Sequence, residues 1–206
     1  MLEKRCRRRK VKAFQSILLA SGLFVVSFCP AFAGQWGVFT ELGLSQFTKL
    51  KSVHGSAFGW DVGAEYWPVE KLAMEFRYFS ASHEYSQAFL GSLAGDVGNA
   101  VLDNSLDLQA FIFGIKGAFY EDENFHFWGS FSVGDYTKSI AGVVGNADLQ
   151  LSFNDVGLET AFGIDYILPS HISVGIAPRY AFILDDPESQ HLGVLLRFGY
   201  FFGTRQ

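Results

Sequence analysis

The sequence predicts an all-β protein, an eight-stranded antiparallel up-and-down transmembrane β-barrel. Three observations carry this reading: a secretory leader, a series of period-two segments with unlike faces, and connections that alternate between short and long. The clearest segment is the last, 192–202. Its even positions, Leu192, Val194, Leu196, Phe198, Tyr200 and Phe202, are all apolar or aromatic, whereas Gly193, Leu195, Arg197, Gly199 and Phe201 mix small, apolar and charged groups. Alternation of this kind marks a strand whose two faces meet different surroundings.

The leader comes first in the chain. Residues 1–12 hold Lys4, Arg5, Arg7, Arg8, Arg9, Lys10 and Lys12 against one acid, Glu3; 13–28 carry no charge, and Ala31-Phe32-Ala33 follows. A basic head, an apolar run too short to span a bilayer comfortably and an A-x-A site predict a signal peptide over 1–33 and a single mature domain over 34–206. Phe28 is too bulky for the position before a lipidated cysteine, which argues against a lipoprotein at Cys29. Both cysteines, Cys6 and Cys29, leave with the leader, so neither a disulfide framework nor a cysteine metal site is expected. Seven of the 16 bases and one of the 21 acids leave as well, so nine bases and 20 acids remain, net −11. A chain this acidic is a poor nucleic-acid binder.

The strands follow in order. The first, 35–47, sets Trp36, Val38, Thr40, Leu42 and Leu44 against Gly37, Phe39, Glu41, Gly43 and Ser45. The second, 57–67, sets Phe58, Trp60, Val62, Ala64 and Tyr66 against Gly59, Asp61, Gly63 and Glu65, and the third, 72–82, sets Leu72, Met74, Phe76 and Tyr78 against Ala73, Glu75, Arg77 and Phe79. In the fourth, 105–120, Leu106 and Leu108 are out of phase with Phe111, Phe113 and Ile115, which predicts a β-bulge near Ala110. The fifth, 125–136, has Phe125, Phe127, Phe131 and Val133 outward with His126, Trp128, Ser130 and Ser132 inward. The sixth sets Val156, Leu158, Phe162, Ile164 and Tyr166 against Gly157, Glu159, Ala161, Gly163 and Asp165; Leu149, Leu151 and Phe153 are out of phase, predicting a second bulge near Asn154-Asp155. The seventh sets Ile172, Val174, Ile176, Tyr180 and Phe182 against Ser173, Gly175, Ala177 and Arg179, interrupted by Pro178, which cannot donate to a ladder.

Connections 67–71, 121–124 and 167–170 are short, with Pro68 and Pro169 as turn residues, whereas 48–56, 83–104, 137–147 and 183–190 are longer and polar or glycine-rich. An even strand count with short turns at one end and long loops at the other is the plan of an outer-membrane barrel. Trp36, Trp60, Tyr66, Trp67, Tyr166, Tyr180 and Tyr200 fall near strand ends, where interface girdles belong. Lipid offers no hydrogen bonds to an open edge, so the sheet must close.

The competing plan is a soluble barrel with its apolar face inside. An eight-stranded interior holds only close-packed side chains. The bulky aromatics occupy one face and glycine, alanine and serine dominate the other, so the small set fits the lumen and the large set fits lipid. That assignment turns Glu41, Asp61, Glu65, Glu75, Glu159 and Asp165 inward together with Arg77, Lys116, Arg179 and Arg197. Unpaired charge in a narrow, partly dry lumen is costly, so these ten residues should form one paired network, with Glu41 and Arg197 as partners across the closing strands. The network reads either as a polar plug that fixes strand register or as a gated ion path, and the narrow bore favours the plug.

The leader, the eight strands and the aromatic-terminated last strand together resemble the small outer-membrane barrels related to the outer membrane protein A transmembrane domain. The resemblance covers about residues 35–202 and is architectural. It implies that Phe198, Tyr200 and Phe202 form an assembly signal read by the barrel-assembly machinery, although Gly203-Thr204-Arg205-Gln206 follow. It also implies a bacterial outer-membrane location, with membrane lipid and lipopolysaccharide as surroundings. No wall-binding domain is expected after the last strand.

One enzyme reading has a foothold. His171-Ile172-Ser173, with Asp185 further on, resembles the His-x-Ser pattern of outer-membrane lipid A 3-O-deacylases, in which a carboxylate orients the His that activates Ser. Val174 stands where that family has Asn, and Asp185 is expected at the opposite end of the strand from His171, beyond hydrogen-bond reach. His54, His83, His126, His171 and His191 show no ligand spacing, so no metal or cofactor is expected. Asp185-Asp186-Pro187-Glu188 reads as solvated loop charge. Loop 84–104, with Phe89, Leu90, Leu93, Val97 and Val101 among glycines, is a candidate contact surface. The expected function is non-enzymatic: a structural or surface-interaction barrel, with a narrow channel as the main alternative.

Overall fold

Period-two alternation becomes eight long strands, the elements of a computed structural model that describes residues 34–48, 53–54, 56–85, 101–102, 105–122, 124–144, 147–184 and 190–202. The leader 1–33, most of loop 84–104, acidic segment 185–188 and residues 203–206 lie outside these. The strands are β1 Gln35–Phe47, β2 Ala57–Val69, β3 Leu72–Tyr85, β4 Ser105–Glu121, β5 Phe125–Val144, β6 Ala147–Ile167, β7 Ile172–Ile183 and β8 His191–Phe202. Each pairs antiparallel with the next, and β1 pairs with β8 from Trp36↔Phe202 to Phe47↔His191, which closes the barrel. Two short strands, Val53–His54 and Val101–Leu102, add to the outer ends of β3 and β5.

The register fixes the dimensions. Stepping from Gly37 through successive partners gives Glu65, Glu75, Gly114, Ser132, Glu159, Ala181, His191 and then Phe47, ten residues further along β1. Eight strands climbing ten residues per circuit lean roughly 40° from the axis at a backbone radius of about 8 Å, which side chains fill.

Outward positions carry the belt. Phe58, Phe76, Phe111, Phe113, Phe131, Phe162, Leu196 and Phe198 are all large, apolar and exposed. No water-soluble protein leaves such a continuous surface bare; it belongs against lipid tails. Glycine makes the opposite face possible. A Cβ at Gly163 would lie 2.1 Å from the Trp128 indole, and one at Gly134 or Gly157 would lie 2.7 Å from the Tyr136 ring, so these aromatics lie flat on the inner wall.

Several sequence expectations are corrected. The β3–β4 and β4–β5 registers pass Ala110 unbroken; the irregularity in β4 falls between Ala118 and Tyr120. Leu106 and Leu108 are fully buried and point inward, in phase with Ile112, so no bulge is needed to reconcile the halves. The β5–β6 register is also unbroken past Asn154-Asp155, and 137–144 is strand rather than loop, so β5 and β6 run 20 and 21 residues. Trp67 does not join an interface girdle. It is 4% exposed and packs with Ala73, Ala118 and Phe201 across the inner end of the lumen. Tyr66 is also buried, its ring centroid 4.6 Å from that of Trp36. Pro178 interrupts the β6–β7 ladder, which skips Phe162 and Gly163 and resumes in the same register.

Candidate functional site

Inward alternation on seven of the eight strands delivers the ten charged residues to the middle of the lumen, none more than 6% exposed. Glu41 and Arg197 stand opposite each other on the closing ladder, with Arg197 Nη1 donating to Glu41 Oε1 at 2.7 Å. Arg179 adds a fork, Nη2 to Oε1 at 2.6 Å and Nε to Oε2 at 2.8 Å. Arg197 Nη2 and Lys116 Nζ both reach Glu65 Oε2, at 2.8 and 2.9 Å. Arg77 Nη1 donates to Asp61 at 2.7 Å, its Nη2 pairs with Glu159, and its Nε lies 3.0 Å from Glu75. Arg179 Nη1 also reaches Glu159, at 3.2 Å. Asp165 accepts from Trp128 Nε1 at 2.9 Å and lies 3.6 Å from Arg197 and 3.7 Å from Lys116. Planar guanidinium forks suit this crowded geometry, because each satisfies two carboxylates at fixed angles.

Aromatic faces complete the cation shells. Lys116 Nζ sits 4.0 Å above the Trp128 ring, and Arg197 Cζ lies 3.6 Å from the Phe39 ring. The network is enclosed on both sides along the barrel axis. Toward the short turns lie Trp67, Phe201, Ala73 and Ala118, with the His126 ring tilted against Trp67 at a centroid distance of 5.1 Å. Toward the long loops lies a larger apolar cluster that includes Phe47, Phe79, Leu106, Leu108, Ile140 and Ile183. The sequence did not announce this outer tier, since a leucine that plugs a lumen and a leucine that faces lipid look alike in alternation.

Set into that tier are His83 and His191, with ring centroids 5.6 Å apart. They are 108 positions apart in sequence, and only the climb of the barrel brings β3 and β8 side chains together across the mouth. The other singled-out residues are dispersed. Phe198, Tyr200 and Phe202 lie on the lipid face of β8, the last two with rings 4.9 Å apart. His171 is exposed in the β6–β7 turn, whereas Ser173 is buried and faces inward. Asp185 lies outside the described residues.

No protein-family model matches the sequence, and no curated protein matches it either. In structure the chain is similar to Neisserial surface protein A, at a TM-score of 0.56 and 11% identity over 82% of this chain and 97% of that one. The attachment invasion locus protein Ail of Yersinia pestis gives a TM-score of 0.52 at 9% identity over 82% and 97%. OprG of Pseudomonas aeruginosa gives 0.52 at 12% identity over 84% and 97%. At such identities the likeness is one of fold. With its closed ladder and its lipid-facing belt, the chain has the fold of the small eight-stranded outer-membrane β-barrels.

Proposed function

We propose that this protein is a non-enzymatic surface-interaction barrel, in which the plugged cylinder anchors a sheet that reaches outward from the membrane. The observation that supports this reading is the inequality of the strands. β7 and β8 have 12 residues each, whereas β5 and β6 have 20 and 21. β7 ends at Ile183 opposite Gly157, so residues 147–155 of β6 pair with β5 and, among the described residues, with nothing on their other side. At strand rise this extension is about 30 Å long, well beyond what a lipid belt requires. Lipopolysaccharide and membrane lipid surround the belt in this reading, the apolar residues of loop 84–104 offer a further contact surface, and the β8 aromatics engage the assembly machinery.

Cells displaying the chain are compared with cells displaying a variant in which 141–150 is replaced by Asn-Gly, a two-residue hairpin turn. Attachment to epithelial monolayers and cell-to-cell settling should both fall to the level of cells without the protein, while the amount of folded barrel is unchanged. Attachment and settling equal to those of the unmodified chain would refute the reading. A narrow-channel reading draws on the charged lumen itself. It would require steady conductance at neutral pH in a planar bilayer, lost on Arg197→Ala.

A further inference from the structure

His83 and His191 are 2% and 6% exposed, and their rings meet nearly edge to face, at 87°. Phe47 packs on both, at 4.7 and 5.5 Å, and Phe79 lies 5.3 Å from His191. Ser45 Oγ is 3.5 Å from His83 Nε2, while His83 Nδ1 and His191 Nε2 have no hydrogen-bond partner. The charged groups around the pair make a consistent pattern. Beneath His191 is a small cavity bordered by Arg77 of β3, Tyr136 of β5, Glu159 of β6 and Arg179 of β7. Glu159 is the one acid of that lining, and both arginines already hold it. At the outer end Lys138 of β5 is matched by Asp155 of β6 at 2.9 Å. From β1, β4 and β8 the surrounding tier offers Ser45, Phe47, leucines and glycine, none of them charged, and β2 contributes Asp61, the cross-strand neighbour of Phe79, which Arg77 already holds at 2.7 Å.

We propose that His83 and His191 form an acid-operated latch on the outer mouth of the barrel. With both rings neutral, they complete the apolar plug above the ion network. With both protonated, two cations stand side by side over Arg77 and Arg179, no free carboxylate is within reach, and the favourable course is for the rings to part and take up water. Phe47 is the cross-strand neighbour of His191 and packs on His83, so it must move with them. Water then reaches the cavity and the network beneath, and the lumen conducts. The latch is independent of the surface-interaction reading, since it concerns the mouth of the cylinder and not the projecting sheet.

The test uses the refolded full chain in planar bilayers, with the pH of one chamber lowered from about 7.5 to about 5, a range that spans ordinary histidine titration. The expected result is a silent bilayer at the upper value and opening events from one side only at the lower, with open probability rising roughly tenfold or more. His83→Phe with His191→Phe keeps two rings in place and removes both protonation sites, so it should remain silent throughout. Acid opening that persists in this double variant, or no acid opening in the unmodified chain, would overturn the latch. If the double variant does not fold, as judged by heat-dependent gel mobility, His191→Gln and ring NMR of the unmodified chain replace it. His83 and His191 must then titrate over the same pH interval as opening, and titration without opening, or opening without titration, rejects the proposal.

Discussion

Glu41 is held by two arginines at once: three hydrogen bonds from Arg179 and Arg197 converge on its two oxygens at 2.6 to 2.8 Å. Such a pair stabilises little relative to a hydrophobic replacement, yet removing one side strands the other without solvent. Glu41→Gln should therefore lower the unfolding free energy by about 3–5 kcal/mol in urea titrations of the vesicle-inserted barrel. Adding Arg197→Met to Glu41→Gln should recover part of the loss; a double variant no better than the single would refute this account. His171 presents a different residue-scale problem. It has φ 64° in the turn where its N–H donates to Leu168 and its carbonyl accepts from Phe201 N–H. A side chain in the left-handed region is strained where glycine is not. His171→Gly should raise stability by about 0.5–1 kcal/mol in the same titration, and a loss would show that the imidazole makes a compensating contact.

At the scale of the strand, the inner wall is shaped by what glycine leaves open. Gly163 gives its place to the Trp128 indole, which supports Lys116 and donates to Asp165. Gly163→Ala should push that ring off the wall and lower stability by about 1–3 kcal/mol, with a changed near-ultraviolet circular dichroism signal; an unchanged signal would mean the ring has slack. The strands themselves were legible because alternation is local: β1 occupies 35–47 as its pattern predicts. The phase of an apolar strand end was not legible. Leu106, Leu108 and Trp67 have the chemistry of the lipid belt, and it is the unbroken alternation, in phase with Ile112 in β4 and with Glu65 in β2, that turns them inward as lumen caps. Residues 137–144 carry polar side chains and glycine through a strand, and such composition reads as loop unless the alternation is followed past Tyr136. The His83–His191 meeting has no sequence signature, because it depends on the ten-residue climb around the barrel and not on any spacing along the chain.

The whole molecule is organised by depth as well as by face. The outward positions of β8 sample that depth: Leu196 lies near the middle of the belt and Leu192 near its outer rim. Leu196→Arg should destabilise the inserted barrel by about 2–4 kcal/mol, and Leu192→Arg by no more than about 1 kcal/mol. Equal costs at the two positions would mean that the bilayer does not sit where the aromatic and aliphatic side chains place it. The wiring of the ion network has a consequence for how the protein comes into being. Glu41 lies on the first strand, and its cations arrive 138 and 156 residues later, on the last two. Until the chain's ends meet, the seam exposes naked carboxylate to a greasy environment, so a partly assembled intermediate has every reason to fall back and none to persist. Biogenesis should then finish in a single late step, the final strand docking against the first and neutralising the interior as it does so.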